Sequence, residues 1–289
     1  MARRKFVLFC RRRKHRLARV HADNAPSHFA TNAQIESLAR DSYRRLLAYL
    51  AARSGDVAGA EDALSEAFVA ALQRWPMEGL PEKPEAWLLT AARRRMIDAA
   101  RHAEVRDQAA ERLLMASEMA ELQVETKDHF PDERLKLLFV CAHPAIDASV
   151  RTPLMLQTVM GLDAARIASA FLTSPTAMGQ RLVRAKTIIR DAGIPFSIPA
   201  KSELSLRVQS VLEAIYTAYT CGWDDSEDAT RDGLVNEALW LGRMAVELLP
   251  HEPEALGLLA LMLHSQARHS ARRDAEGSYV PLPEQDVRL

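Results

Sequence analysis

The chain has 289 residues, of which 48% are hydrophobic and 6% aromatic, and this length allows two or three small domains. Abundant Ala, Leu, Arg and Glu with only 11 glycines favour an all-α fold over a β-sheet protein. No apolar run approaches the ~18 residues that cross a bilayer. The three isolated cysteines, Cys10, Cys141 and Cys221, exclude a disulfide framework, so we expect a cytoplasmic protein.

The formal net charge is zero, but the charges are distributed unevenly. Residues 1–20 carry nine Lys or Arg and no acid, whereas residues 202–289 carry fifteen Asp or Glu against seven Arg, a net charge of −8. The basic N-terminal segment, residues 1–20, indicates a polyanionic partner. Residues 1–30 show no periodic apolar pattern, so we interpret them as a basic disordered arm, with non-specific phosphate contact as the alternative.

Three helices are predicted between residues 31 and 103, which form the first domain of this interpretation. Apolar side chains recur at three- and four-residue steps in each helix, which indicates one buried side. The second helix runs from about Val57 to Trp75 and is expected to stop at Pro76. Its opposite face carries the carboxylates of Glu61, Asp62 and Glu66. These carboxylates either bind a partner or are simply exposed to solvent.

The third helix, from about Glu85 to His102, carries several arginines opposite an apolar side that includes Trp87. Three of the arginines are consecutive and cannot all face one way, so we expect at least one to pair with Asp98 or another nearby carboxylate. A loop with three prolines, residues 76–84, precedes this helix and is expected to be rigid. The arginines that lie largely on the outward side are Arg93, Arg94, Arg95 and Arg101.

Polar residues 104–132 are interpreted as a linker to a second helical domain, residues 133–193. The last part of that domain, Leu162 to Gly193, predicts two short helices and a tight turn in which Ser174 or Thr173 caps the second helix. This second helix has an apolar back and a polar front, which suits a DNA major groove, although an ordinary solvated helix has the same pattern. Gln180, Arg181, Arg184 and Thr187 lie on or near this polar front.

A second linker, residues 194–203, precedes an acidic region, residues 204–289, in which helical apolar periods predict stacked hairpins without a closing element. Three roles are open for this region: it recruits a regulator, it masks basic surfaces of the same chain, or it only stabilises the fold. The scattered histidines, and Cys141 beside His143, lack metal-ligand spacing, so we expect no metal. No Gly-rich phosphate loop, nucleophile elbow or catalytic carboxylate pair is evident, so we expect neither a cofactor nor an enzyme.

Two stretches in the same order resemble the extracytoplasmic-function (ECF) subfamily of the sigma-70 family, the bacterial RNA polymerase sigma factors. Three segments of this chain are similar to region 2 of these factors. They are AEDALSEAF at residues 60–68, RWP at residues 74–76 and PEAWLLTAARRRMIDAAR at residues 84–101. Residues 134–192 are similar to region 4, and they include the segment GQRLVRAK at residues 179–186. Together these stretches cover about half of the chain, so the resemblance implies two helical domains joined by a linker.

The acidic end is similar to tetratricopeptide (TPR) helices, chiefly through AVELLPHEPEAL at residues 245–256, and a subgroup of the family carries such an extension. Three positions depart from the residues that the family usually has. Gly59 stands in place of Asp, Ser65 in place of Gln and Arg94 in place of Asn. These departures bear on the contact with polymerase and on promoter preference.

The resemblance implies an alternative sigma factor that directs RNA polymerase core to promoter DNA, with possible recruitment of a regulatory protein by the extension. Region 2 then docks Glu61, Asp62 and Glu66 on a coiled coil of the largest core subunit. The arginines from Arg93 to Arg101, with a loop at residues 77–83 that holds a flipped base, then bind the −10 element. Region 4 then places its second helix at the −35 element, with base contacts from Thr176, Gln180, Arg181 and Arg184 and phosphate contacts from Lys186 and Arg190. A stand-alone helix-turn-helix regulator and a helical scaffold are the alternative functions.

Overall fold

The computed structural model describes residues 25–107, 131–224, 229–272, 274 and 278–286. Regular structure in these residues is helical, which confirms the all-α prediction. The chain divides into two compact units, Met1–Ile198 and Pro199–Leu289. None of the helices within the described ranges is long and apolar enough to cross a membrane.

The first unit begins with three helices, α1 (Ala25–Ser54), α2 (Val57–Glu78) and α3 (Pro84–Asp107). Helix α1 therefore starts inside the predicted basic arm, of which residues 1–24 lie outside the described part of the chain. The apolar sides of the three helices meet in a core, as their periodic patterns predict. Its largest fully buried side chains include Leu46, Leu50, Leu64, Phe68 and Leu88.

The predicted end of α2 at Pro76 is wrong, because the helix continues to Glu78. Proline removes one N–H donor from the last turn, but the helix closes regardless when the N–H of Gly79 donates to the carbonyl of Trp75 at 2.9 Å. Gly79 has a φ of 88°, which glycine adopts without strain. Trp75 is only 2% exposed and packs edge-on against Trp87, with 5.3 Å between the ring centroids, so it belongs to the core.

The second helix group consists of α4 (Arg134–Cys141), α5 (Ala148–Thr158), α6 (Ala164–Ala170) and α7 (Pro175–Asp191). Its buried side chains include Phe139, Leu154, Ile167, Leu182 and Ile189. Helices α4 and α5 pack against α1, and α7 packs against α2, so both groups belong to one compact unit. Most of the predicted linker between them, residues 108–130, lies outside the described residues.

Helices α6 and α7 form the predicted helix-turn-helix. Ser174 caps α7, because its hydroxyl accepts a hydrogen bond from the N–H of Ala177 at 3.2 Å. Pro175 occupies the first turn, where a missing N–H costs nothing. The helix ends where Gly193, with a φ of 58°, donates to the carbonyl of Arg190 at 3.1 Å. These signals hold α7 rigidly at both ends.

The turn between α6 and α7 contains a strained residue. Leu172 has a φ of 50°, a left-handed conformation that non-glycine residues rarely adopt, and its side chain is 96% exposed. The conformation lets the N–H of Thr173 donate to the carbonyl of Ala168 at 2.9 Å, which closes α6. The leucine side chain therefore contributes no burial to offset its backbone strain.

The second unit contains α8 (Lys201–Asp224), α9 (Ala229–Leu248) and α10 (Pro253–Ala267). Each of these helices packs against the other two. The hydroxyl of Tyr219 in α8 donates to the carbonyl of Met262 in α10 at 3.0 Å. Close approach of α8 and α9 depends on Gly222, where an added Cβ would lie 2.9 Å from Cγ2 and 3.2 Å from the backbone nitrogen of Val235.

We expect Gly222→Ala to lower the free energy of unfolding of the second unit by about 1–3 kcal/mol, because the added methyl forces α8 and α9 apart. The control is Gly257→Ala in α10, where a Cβ meets nothing within 4 Å. That change should raise stability by about 0.5–1 kcal/mol, since alanine loses less conformational entropy in a helix. Urea denaturation followed by circular dichroism measures both, and shifts of the same sign would contradict the packing described.

We expect Leu172→Gly to raise the free energy of unfolding of the first unit by about 0.5–1 kcal/mol, because glycine adopts the left-handed conformation freely. Leu172→Ala is the matched control. It removes the same exposed side chain but keeps the strain, so its stability should equal that of the parent chain. Urea denaturation of the three proteins tests this, and a gain of equal size in both variants would show that the backbone strain is not the cause.

Candidate nucleic-acid interface

Helix α7 has a buried side and an outer side. Met178, Leu182, Ala185 and Ile189 are buried against the second helix group. Five of the six predicted DNA-binding residues are exposed, namely Thr176, Gln180, Arg181, Arg184 and Arg190. Their hydroxyl, amide and guanidinium groups are the types that bind base edges and phosphates in the major groove.

Lys186, the sixth predicted DNA-binding residue, lies elsewhere. Only 5% of the residue is exposed, and its Nζ is 2.5 Å from Oε2 of Glu61 on α2. Lys186 comes one residue after buried Ala185 and four after buried Leu182, so helical geometry places it at the edge of the apolar side. The prediction of a phosphate contact is untested, and this arrangement does not present the ammonium group to DNA.

One outward residue of α7 was not singled out from the sequence. Val183 is 64% exposed and lies three residues after Gln180. An apolar side chain on the solvent side of a groove-binding helix is suited to contact with a thymine methyl group. The signal was present in the sequence, because position 183 does not share the helical face of Met178, Leu182 and Ile189.

Two of the candidate arginines of α3 make side-chain contacts, and one of these two, Arg95, is itself exposed. Arg93 donates from Nη2 to the hydroxyl of Tyr49 at 2.9 Å. Arg95 forms a salt bridge with Glu66 of α2, which confirms the expected pairing with a nearby carboxylate. Arg94 and Arg101 are exposed and lie seven residues apart, hence on the same face of α3. The exposed pair is best placed to meet an anionic ligand.

Contacts from α1 hold α3 in place. Glu85, in the first turn of α3, accepts hydrogen bonds from Arg45, whose Nη2 is 2.8 Å from each carboxylate oxygen. The hydroxyl of Ser42 also donates to this carboxylate. A carboxylate at a helix N-terminus is favoured by the helix dipole as well. The arginine helix is therefore held by a charged network at its beginning as well as by core packing.

The acidic face of α2 lies beside these arginines. Asp62 and Glu66 are exposed, whereas the side chain of Glu61 is only 15% exposed because Lys186 covers it. The pKa of Asp62 is raised, mainly because its carboxyl group is partly desolvated and also because Glu61 and Glu66 place negative charge nearby. Asp62 is the carboxylate that this arrangement offers to an external partner, whereas Glu66 is exposed but paired with Arg95.

The loop after α2 is shorter than predicted, because α2 extends to Glu78. It presents two exposed apolar side chains, Met77 at the end of α2 and Leu80 in the loop, which are 80% and 43% exposed. Exposed apolar groups between prolines are able to contact the face of an unstacked base.

Two of the departures from the usual family residues have a local explanation. A Cβ at Gly59 would lie 2.6 Å from Oδ2 of Asp56, whose carboxylate caps α2 by accepting the N–H of Gly59 at 3.0 Å. Ser65 is 3% exposed, and its hydroxyl lies 3.3 Å from that of Tyr43. Gly59 thus fits the contact between the first turn of α2 and its cap at Asp56. Ser65 fits the contact between α1 and α2.

Among the described residues, no group of three or more His, Cys, Asp or Glu side chains is placed to hold a metal ion. Cys141 is fully buried beside Thr158, and burial raises the pKa of its thiol to about 12. A thiol in this state is neutral at physiological pH and is a poor nucleophile.

Two family models match parts of this chain. Residues 38–105, which include most of α1 and nearly all of α3, match the family described as Sigma-70 region 2. Residues 207–289 match a family of unknown function, DUF6596. No solved structure matches the chain.

The chain is also 39% identical over 241 residues to the uncharacterized protein R00370 of Rhizobium meliloti (strain 1021). The match covers 80% of this chain and 56% of that relative, so the chain spans about half the length of the relative. The Sigma-70 region 2 match lies in the first helix group and supports a relationship to the sigma-70 family.

Proposed function

We propose that this chain is an alternative sigma factor of the ECF type, which directs RNA polymerase core to specific promoters in the cytoplasm. The observation that carries the proposal is the agreement between the sigma-70 region 2 match at residues 38–105 and the core of α1–α3, on which Arg94 and Arg101 are exposed. The helix-turn-helix of α6 and α7 supports a second DNA contact.

In this function the exposed carboxylates of α2 bind the polymerase core. Asp62 and Glu66 are exposed, although Glu66 is paired with Arg95, and Glu61 is paired with Lys186. Carboxylates on one helix face attract a basic partner surface and speed its association. The catalytic chemistry then belongs to the polymerase, and this chain contributes position and DNA opening.

Opening of the −10 element requires bases to leave the helical stack, which costs a few kcal/mol for each base. Arg94 and Arg101 bind phosphates and base edges beside the opening, while Met77 and Leu80 contact an unstacked base. Arg93 and Arg95 support this surface from Tyr49 and Glu66, and they contribute directly when those contacts are exchanged for DNA.

Recognition of the −35 element falls to the outer side of α7. Gln180 is suited to adenine and Arg184 to guanine, because their side chains form paired hydrogen bonds with those bases. Thr176 lies in the first turn, the part of a recognition helix that comes closest to bases. The second unit, a TPR-like stack of α8–α10, then serves as a surface for a regulatory protein.

A stand-alone helix-turn-helix regulator remains the second candidate. The outer face of α7 is complete without any group from α1–α3, so this helix would bind an operator by itself. Affinity for core polymerase distinguishes the two functions. A chain that binds specific DNA alone, and never binds core polymerase, is the regulator.

The test is run-off transcription with purified core polymerase and genomic promoter fragments. We expect promoter-dependent initiation by the parent chain and a loss of about 5- to 150-fold for Arg184→Ala, because one paired guanine contact contributes about 1–3 kcal/mol. Arg101→Ala should weaken all promoters to a similar degree, since phosphate contacts carry no sequence information.

Arg243→Ala is the matched control, because Arg243 is an exposed arginine on a helix of the second unit. It should initiate as well as the parent chain. Absence of binding to core polymerase by the parent chain would rule out the proposed function. Normal initiation by both Arg184→Ala and Arg101→Ala would rule out the assigned DNA contacts.

A further inference from the structure

The second unit contains a cavity of about 320 Å³ between α8 and α10. Its walls are side chains that recur every three or four residues, so each helix presents one face to the cavity. These side chains belong to Tyr216, Tyr219 and Thr220 on α8, and to Leu261, Ser265 and the C-cap residue Arg268 on α10. Small-molecule sites have volumes of about 300–1,000 Å³, so this cavity has room for a small ligand.

The chain that follows α10 folds back and forms a third side of the cavity. A short helical turn, Ser270–Arg272, comes directly after α10. The N–H of Val280 then donates to the carbonyl of Arg272 at 2.8 Å. This hydrogen bond returns the chain to α10, and Tyr279 and Gln285 line the cavity together with Arg272. Three segments of the unit therefore converge on one space.

Arg268 is held at the cavity by a neutral group. Its Nη2 donates to Oε1 of Gln285 at 2.8 Å, and Nε2 of Gln285 donates to the carbonyl of Val280 at 2.7 Å. Gln285 is only 9% exposed, so its amide is fixed by the surrounding structure. An amide orients a guanidinium group without neutralising it, and Arg268 therefore keeps its positive charge.

Arg272 supplies a second positive charge beside aromatic rings. Its Cζ lies 5.8 Å from the centroid of the Tyr279 ring, a distance at which a cation is attracted to a ring face. Burial raises the pKa of Tyr219, while a hydrogen bond with Ser265 and the charge of Arg272 act in the opposite direction. The charge of Arg272 is thus felt inside the cavity.

The charge of the cavity is opposite to that of the unit around it. Residues 202–289 carry fifteen Asp or Glu against seven Arg. The described residues that line the cavity include two arginines and no Asp or Glu. A positive cavity in an acidic body attracts small anions locally, whereas the surrounding negative charge repels an extended acidic polymer. This contrast favours a small anionic ligand over a nucleic acid or an acidic protein.

We propose that this cavity binds a small aromatic anion, a compound that carries a carboxylate or a phosphate on a planar ring. The anionic group binds Arg268 and Arg272, because planar guanidinium groups match two oxygens of a carboxylate or phosphate. The ring packs against Tyr216 and Tyr279, which are 46% and 61% exposed and hence accessible. The site lies entirely in the second unit, so the inference goes beyond the proposed function and does not depend on it.

Fluorine NMR of the full chain tests the inference with two matched probes. They are para-(trifluoromethyl)benzoate and its neutral counterpart, para-(trifluoromethyl)benzamide, which has the same ring and nearly the same shape. We expect the dissociation constant of the acid to be at least about tenfold lower than that of the amide, because hydrogen bonds between charged groups are stronger. Displacement of the acid by phenyl phosphate and by benzoate then shows which anionic group binds more tightly.

Substitutions locate the binding. Arg268→Gln and Arg272→Gln each remove one charge from the cavity, and each should weaken binding of the acid about tenfold. Arg243→Gln is the matched control, since Arg243 is exposed on α9 and does not line the cavity, and its effect should stay below about twofold. Other arginines of the chain are common to all variants, so the differences report the cavity. Circular dichroism verifies the helical fold of each variant.

Chemical protection locates the binding without any substitution. Phenylglyoxal modifies accessible arginines, and mass spectrometry of the parent chain identifies the modified positions. The acid should slow modification of Arg268 and Arg272 but not that of Arg243.

Three results overturn the proposal. Equal affinities for the acid and the amide show that the site does not select an anion. Unchanged affinity in both cavity variants, or equal modification of Arg268 and Arg272 with and without the acid, places the binding elsewhere. Absence of binding by the acid at roughly 10 mM shows that there is no such site. None of these results bears on affinity for core polymerase, so the proposed function is tested separately.

Discussion

The apolar side of α2 is the constraint on which the first unit depends, because α1, α3 and α7 all pack around this helix. Burial of Leu64, Phe68 and Trp75 fixes the rotation of α2 about its axis. That rotation decides the surroundings of the acidic residues one turn away. Glu61 faces α7, while Asp62 and Glu66 face solvent beside the arginines of α3. Core packing thus selects which charges are available to a partner.

The neutral net charge of the chain conceals a difference between paired and exposed groups. Arg45, Arg93 and Arg95 are held by Glu85, Tyr49 and Glu66 respectively. Arg94, Arg101, Arg181 and Arg184 project from two different helices into solvent. Arginines of the first kind fix the geometry of the helices, and those of the second kind provide positive potential to a polyanion.

Periodicity and caps made much of the fold predictable from the sequence. The stripe of Met178, Leu182, Ala185 and Ile189 and the cap at Ser174 were sufficient to define α7, since both depend on residues close in sequence. The predicted end of α2 at Pro76 was wrong because a proline in the last turn removes only one hydrogen bond, and Gly79 then closes the helix. Boundaries depend on such local compensation, which composition does not reveal.

The residue types of the candidate site were predictable from the sequence, but the residues with which they form contacts were not. The sequence pattern indicates that some arginine among Arg93–Arg95 requires a carboxylate, but the choice of Glu66 depends on how α2 and α3 cross. Lys186 was predicted to contact phosphate, whereas its contact with Glu61 arises from packing between groups 125 residues apart. Long-range contacts of this kind depend on tertiary packing, to which helical periodicity is insensitive.

The burial of Glu61 and Lys186 also separates two responses to ionic strength. Dissolved ions screen exposed charges strongly but reach a buried pair poorly. In contrast, affinity for B-form DNA falls with salt by a slope of about 0.9 for each phosphate that is neutralised. In the proposed function, rising salt therefore weakens contacts of the exposed arginines with DNA while the packing of α7 on α2 persists. Under that proposal, ionic strength acts on occupancy of DNA rather than on the internal arrangement of the first unit.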